Sequence, residues 1–186
     1  MNRLLLCLIA GLCALTTLIS NAQDMPVIPL PSDPSTPIIT MDWRGGLSYP
    51  GPRKNLNPVL SIRADGRVTV IDPYGRTADR EAVLSHAEIQ DLLRFAITEQ
   101  DFFAFDSNSV RQAIEAEFRN AGRRVYIADA ADTVVHIKTA DREFEASYNA
   151  LATWAQRYPN IKALVQLRAI ELRLTKLIDQ LRAGSR

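Results

Sequence analysis

The residues best suited to acid–base or metal chemistry are two histidines, His86 and His136. Histidine is the commonest metal ligand and a frequent general base near neutral pH. His86 falls in the first turn of a predicted helix, an ordinary exposed position. His136 falls on a predicted strand, opposite Glu145 on the solvent-exposed face of the sheet. A metal there would lack the local spacing of known zinc motifs, so we expect a surface His–Glu pair and no metal.

Carboxylates are the second group that could do chemistry, as the acid–base pair of a small hydrolase. Such a pair needs a cleft and raised pKa values, which the sequence does not supply. The candidates flank predicted helices and strands, where aspartate also serves as a cap or turn residue. They are Asp101, Asp106, Asp129 and Asp132.

A calcium loop is a third pattern that the sequence suggests and then contradicts. Asp106-Ser107-Asn108 begins like such a loop, and Glu117 stands at its twelfth position. The sixth position is Arg111, where the turn requires glycine, and the fifth is Val110, which cannot ligate through its side chain. Helix capping explains these residues better.

The sequence also has no Gly-x-Ser-x-Gly elbow and no Gly-rich phosphate loop. We therefore predict no catalytic, cofactor-binding or metal site.

Residues 1–22 have the pattern of a signal peptide. Met1-Asn2-Arg3 is a basic start, Leu4 to Ile19 is an apolar run, and Ser20-Asn21-Ala22 supplies small residues for cleavage. We expect cleavage after Ala22, with a retained anchor as the alternative. The predicted location is the periplasm or the extracellular space.

The expected mature chain has no thiol, because Cys7 and Cys13 both lie in the signal. Thiol catalysis, disulfide exchange and cysteine metal sites are therefore excluded. Loss of Arg3 takes one of the 22 basic residues and leaves them equal to the 21 acidic ones. Without a basic surplus we expect no nucleic-acid partner. We also expect no membrane span after cleavage.

The mature chain divides into a leader and one domain. Residues 23–37 contain five prolines and predict an extended, semi-stiff leader rather than a packed element. A linker is the expected role, and a proline-rich docking peptide is the alternative. Residues 38–186 form a single α+β domain that ends in a long amphipathic helix.

A β-hairpin from Pro58 to Asp72 is the centre of the predicted domain. A three-residue loop, Ala64-Asp65-Gly66, gives one wholly apolar face, with Gly66 in the left-handed conformation. That register pairs Ile62 with Val68 and Leu60 with Val70.

A second hairpin from Thr133 to Tyr148 turns at Ala140-Asp141. It places Val135 and Ile137 on one face and pairs Lys138 with Glu143 and His136 with Glu145. The remaining predicted strands are Ile38 to Trp43 and Val125 to Ile127. The predicted loops are Leu47 to Asn57 and Pro73 to Glu81.

Four helices are predicted from caps and apolar periodicity. Ser85 and Glu88 form the capping box of the first, flanked by the staple Leu84 and Ile89. The second starts at the Ser109 and Gln112 pair and ends at Gly122, and Asn149 caps a third that runs to Arg157. The longest helix spans Ile161 to Arg182. Its stripe comprises Leu167, Ile170, Leu174, Leu177 and Leu181, widened by Val165 and Leu172, with charged residues including Glu171 on the remainder.

Several of these features occur together in a recognisable order. They are Leu60-Ser61-Ile62, Asp65-Gly66, the helix from Ser85, Asp132 ahead of Val134-Val135, and Pro159 with Leu164 and Leu167. In this order the chain loosely resembles exported bacterial proteins with no assigned activity. The resemblance implies an α+β domain and carries over no catalytic residue.

We therefore predict an α+β fold, an antiparallel sheet of two hairpins plus an edge strand, with helices packed mainly on one face. The expected function is an exported, non-enzymatic binding or envelope-interaction domain, whose partner is an unknown protein or envelope component. We expect a monomer or a weak dimer through the C-terminal helix. The alternatives are a small carboxylate-dependent hydrolase and a protease inhibitor that uses the loop from Leu47 to Asn57.

Overall fold

The computed structural model of the chain describes residues 26–47 and 52–184. The predicted signal peptide and part of the loop from Leu47 to Asn57 lie outside the described residues. The strands are β1 (Pro37–Gly45), β2 (Leu60–Arg63), β3 (Arg67–Val70), β4 (Arg80–Val83), β5 (Ala131–Lys138) and β6 (Glu143–Asn149). The helices are α1 (His86–Arg94), α2 (Ser107–Ala121), α3 (Leu151–Arg157) and α4 (Lys162–Arg182), with a π-helical turn at Phe95–Glu99 and a 3-10 turn at Phe102–Ala104.

All six strands form one antiparallel sheet, in the order β4-β3-β2-β1-β5-β6. The α+β prediction is confirmed, but the first strand is not at an edge. β1 lies between the two hairpins and pairs with both β2 and β5. The edges are β4 and β6. β1 fits a central position because its apolar side chains, Ile39 and Met41, are fully buried against the helical layer.

Both predicted hairpin registers are confirmed. Ile62 pairs with Val68, and Leu60 with Val70, across a loop in which Gly66 has φ +87°. In the second hairpin Lys138 pairs with Glu143 and His136 with Glu145. The apolar pattern was a sufficient guide, because a slip of one residue would have turned each buried side chain to solvent.

Two short strands were assigned wrongly from the sequence. The predicted loop from Pro73 to Glu81 overlaps β4, which pairs with β3. The sequence did not indicate this strand because it begins with two charged residues, Arg80 and Glu81. Charged residues are typical of edge strands, which lack the apolar pattern of a buried strand. Conversely, Val125 to Ile127 is irregular, and Tyr126 is 90% exposed. Three apolar residues do not form a strand unless a neighbouring strand pairs with them.

The helix caps were predicted in part. The capping box of α1 is confirmed, because Glu88 N donates to Ser85 Oγ and Ser85 N donates to the Glu88 carboxylate. α2 is capped by Asp106 rather than by the Ser109 pair, and its carboxylate accepts from the Ser109 amide. Gly122 ends α2 at φ +63°, as predicted. Aspartate competed successfully here because a carboxylate is the stronger acceptor.

The last two helices also differ in detail. Asn149 does not cap α3, because the N-cap position is Ala150, which has no side-chain acceptor. The Asn149 side-chain amide donates to Ala130 O and to Asp132 Oδ1. The apolar stripe of α4 is buried as predicted, whereas Val165 and Leu172 are exposed and face solvent. No helix in residues 26–47 and 52–184 is both long enough and apolar enough to cross a bilayer.

The leader is packed on the domain, contrary to the prediction for residues 26–36. Ala140 N, at the tip of one hairpin, donates to Pro29 O, and Asp65 N, at the tip of the other, donates to Pro34 O. Ile28 is clamped by the side-chain amide of Gln90. Prolines keep the segment extended without removing its carbonyl acceptors, so it ties the two hairpins together.

The helices pack on one face of the sheet, which we call the helical face. Ile39 and Ile137 of the sheet line a small apolar void there, together with Ala96, Ile170 and Leu174. Every buried side-chain nitrogen or oxygen in the described residues has a hydrogen-bond partner. The opposite face of the sheet carries no helix from the described part of the chain, and we call it the open face.

Candidate functional site

A polar row crosses the open face of the sheet, with one residue from each strand. Each residue of the row is directly paired with the next, because the registers of neighbouring strands are aligned. The four central side chains are half-buried between their neighbours, and the two end residues are exposed. From edge to edge the row is Glu81, Thr69, Ser61, Thr40, His136 and Glu145.

His136 belongs to a small ionic cluster within this row. Its Nε2 lies 2.9 Å from Glu143 Oε1, and Lys138 Nζ lies 2.7 Å from Glu143 Oε2. The hydrogen bond from Lys138, followed by that from His136, holds the pKa of Glu143 below its ordinary value of 4.5. Glu145 is the cross-strand neighbour of His136, as predicted, but the hydrogen bond of the imidazole forms diagonally with Glu143. Diagonal neighbours on paired strands are still within reach of long side chains.

The cluster does not form a metal site or an activated nucleophile. No group of three His, Cys, Asp or Glu residues is arranged to hold a metal in the part of the chain that the structure describes. Thr40 is the cross-strand neighbour of His136, yet its hydroxyl makes no hydrogen bond to the imidazole within the described residues. General-base activation of a hydroxyl requires such a bond.

One end of the open face is covered by the loop that contains Arg53. The Asp42 side chain is only 4% exposed there, and Arg53 Nη1 lies 2.9 Å from Asp42 Oδ2. The same guanidinium donates to the carbonyls of Trp43, Asn55 and Asn57. The described part of the predicted inhibitor loop is therefore anchored to the sheet. A buried carboxylate paired in this way holds a loop in place rather than performing chemistry.

The other end of the open face is a shallow concavity of about 320 Å³ between β2 and β4. Arg63 and Arg67 line it, together with the exposed side chain of Val83. Arg67 pairs with Asp65, whereas the guanidinium of Arg63 has no ion-pair partner among the described residues. This end of the row offers a cation, unpaired within residues 26–47 and 52–184, beside an apolar side chain.

The four candidate aspartates do not form an acid–base pair. Asp106 caps α2, and the Ser109 hydroxyl and then the Asn108 amide lower its pKa, whereas a general acid needs a raised one. Asp101 and Asp129 occupy left-handed turns at φ 55° and 56°, which aspartate tolerates. Asp132 accepts from Asn149. Caps and turns account for all four.

The remaining sequence candidates have structural roles. His86 is exposed at the start of α1. The suggested calcium segment is helical from Ser107 onward, so Glu117 lies on α2 and not at the end of a loop. The sequence alone did not indicate Arg63 or Val83. Their spacing around the first hairpin would have suggested this concavity only if β4 had been recognised as a strand.

No family model, no curated protein and no solved structure matches the chain. The resemblance to exported bacterial proteins therefore stays a prediction.

Proposed function

We propose that the protein is an exported, non-enzymatic binding module, located in the periplasm or outside the cell, and that its partner lies on the open face of the sheet. The observation that carries this proposal is the polar row. Six strands align hydroxyl, imidazole and carboxylate groups across one face that the described helices leave uncovered. An uncovered polar face suits recognition by hydrogen bonds.

A protein partner fits this face better than a sugar. The six strands place no aromatic ring on it, whereas a sugar site usually stacks the apolar face of the sugar on such a ring. Ion pairs at one end and the cation of Arg63 at the other give the face a charge pattern that a complementary protein surface can read. We therefore propose a polar surface of an envelope protein as the partner.

The two alternatives have less support. A hydrolase would need two carboxylates that meet in a cleft, whereas the four candidate aspartates serve as cap and turn residues. An inhibitor would need a protruding rigid loop. In the described part of the candidate loop, Arg53 instead donates to Asp42 of the sheet.

Site-specific cross-linking tests the proposal, because the chain from Gln23 onward has no cysteine. A single thiol introduced by Ser61→Cys lies in the middle of the polar row, and the matched control Glu115→Cys lies exposed on α2. Each purified chain, carrying a thiol-linked photo-cross-linker, is irradiated in an envelope extract. We expect one discrete adduct from Ser61→Cys and none from Glu115→Cys.

A second change establishes whether the face itself is recognised. Thr69→Arg places a bulky cation in the row directly opposite the cross-linker, on the neighbouring strand, and we expect it to remove most of the adduct. Equal adducts from both cysteine positions would reject the proposal. So would the absence of any adduct from a chain that turns over a substrate.

A further inference from the structure

The strand β6 is a long edge whose own residues lack the usual protection, although α2 contacts it. It spans seven residues with a regular register and contains no proline, lysine or bulge. Natural edge strands normally carry such features because an open row of backbone groups invites another strand. Its two acids do not supply the missing protection. Glu143 is paired with Lys138 and His136, and Glu145 lies 3.4 Å from Arg44.

The unpaired backbone groups of β6 belong to alternate residues. Thr139 N donates to Arg142 O, and Ala150 N donates to Ala131 O, which fixes the alternation of the β5–β6 ladder. The N–H and C=O groups that point away from β5 have no hydrogen-bond partner among the described residues. They belong to Glu143, Glu145, Ser147 and Asn149.

These outward groups are self-complementary about Ala146. When β6 pairs antiparallel with a second copy centred there, Glu145 faces Ser147 of the partner subunit, and Glu143 faces Asn149 of the partner subunit. Each carboxylate then meets a neutral donor, and all four outward residues enter the ladder. The half-buried ring of Phe144 faces Tyr148 of the partner subunit on the helical side, where two aromatic rings favour pairing.

Other registers are worse for the same sequence. A shift of two residues in one direction places Glu145 opposite Glu145 of the partner subunit, which is a like-charge contact. A shift in the other direction shortens the ladder and exchanges the aromatic pair for Tyr148 against Ala146 of the partner subunit. A two-fold pairing centred on Ala146 is therefore selected by charge, length and packing together.

We propose that β6 pairs with β6 of a second copy of this chain, joining the two sheets into one continuous sheet with both open faces on the same side. This assembly is separate from the binding of a partner to the open face. It also differs from a dimer through α4, where Leu172 is the most exposed apolar side chain.

Light scattering after gel filtration and sedimentation velocity test the proposal on the chain from Gln23 to Arg186, at micromolar to millimolar concentrations. We expect a concentration-dependent dimer. Ser147→Pro removes an outward N–H, so it breaks no bond to β5, and proline is tolerated at such edge positions. We expect Ser147→Pro to weaken the dimer at least about tenfold, since two intermolecular hydrogen bonds are lost.

Two matched controls separate this edge from the other surfaces. Glu81→Pro makes the same backbone change on the opposite edge, and Leu172→Lys charges the exposed position on α4. Both should leave the dimer intact. Amide exchange of the unaltered chain is a further readout, in which the Glu145 and Ser147 amides should slow as the concentration rises.

Three results would overturn the proposal: a monomer at every concentration, a dimer that Leu172→Lys dissolves, or Glu145 and Ser147 amides that exchange at the same rate at all concentrations. The exchange measurement needs no variant, so a misfolded Ser147→Pro chain would not hide the answer. None of these readouts depends on a partner from the envelope extract.

Discussion

The indole Nε1 of Trp43 donates a hydrogen bond of 2.8 Å to Oε1 of Glu171, which lies 128 residues later in the chain. The same oxygen accepts from the Thr133 hydroxyl, and the other carboxylate oxygen pairs with Arg168. Glu171 is only 3% exposed, so this bond links the central strand to α4 through a buried charge.

Removal of that carboxylate should be strongly destabilising. Glu171→Ala leaves Trp43, Thr133 and Arg168 without their acceptor, and we expect the free energy of unfolding to fall by about 3 kcal/mol. Glu171→Gln keeps an acceptor for the indole and should cost less. Urea denaturation followed by tryptophan fluorescence measures both. Leu172→Ala, at the neighbouring exposed position, is the control. A loss of unfolding free energy as large as that for Glu171→Ala would contradict the structural role of the Glu171 carboxylate.

The clamp on the leader gives a second prediction. Gln90 Nε2 donates to Ile28 O, and Ile28 N donates to Gln90 Oε1, at 2.9 and 2.8 Å. Gln90→Leu leaves both backbone groups of Ile28 unpaired, so we expect a loss of about 2 kcal/mol and faster proteolysis of the leader. His86→Ala, on the exposed side of the same helix, should change neither. Unchanged proteolysis in Gln90→Leu would show that the leader is held by other contacts.

Asp72 should make the stability depend on pH. Burial opposes its ionisation, but the backbone amides of Tyr74, Arg76 and Thr77 outweigh that effect and hold its pKa below the ordinary 3.8. Because the folded pKa is the lower one, its stabilisation is complete above about 3.8 and is lost as the pH falls through the folded value. Asp72→Asn should therefore cost about 2 kcal/mol at neutral pH.

The pH series itself is the control for that variant. Denaturation of both chains at several pH values should show their difference shrinking in acid. An equally large difference at pH values well below 3.8 would mean that the carboxylate charge is not the cause.

The glycine of the first hairpin gives a fourth prediction. A Cβ on Gly66 would lie 2.3 Å from the carbonyl oxygen of Leu84, at φ +87°. We expect Gly66→Ala to lower the unfolding free energy by about 3 kcal/mol or more. Gly122 has a similar φ of +63°, but a Cβ added there would meet nothing within 4 Å apart from its own chain neighbours. Gly122→Ala should therefore lower the unfolding free energy by only about 1 kcal/mol. Thermal unfolding compares the two, and equal losses would exclude the steric explanation.

Local patterns predicted much of this fold. The registers of both hairpins, the cap at Ser85 and the glycine end of α2 follow from residues that are close in the sequence. The position of β1 could not be predicted in this way. Its pairing with β5 depends on two surfaces that are far apart in the chain, and alternation alone does not name a partner.

The buried charges were the least predictable part of the molecule. Glu171 was placed with the solvent-facing charges of the last helix, although it lies at the helical spacing of Leu167, Ile170 and Leu174. That position was the available signal. Its partner, Trp43, gave none, because an indole donor needs only a single acceptor that any element can provide. The polar row was equally hidden until the order of the strands was known.

The central place of β1 has a consequence for the order in which the molecule assembles. Ile39 can meet Ile62 early, but its other neighbour, Ile137, is made about a hundred residues later, and such distant contacts form slowly. A partly folded chain therefore carries four of the six strands, with β1 as a bare edge, until the second hairpin joins them. Chaperone capture should concentrate on that interval.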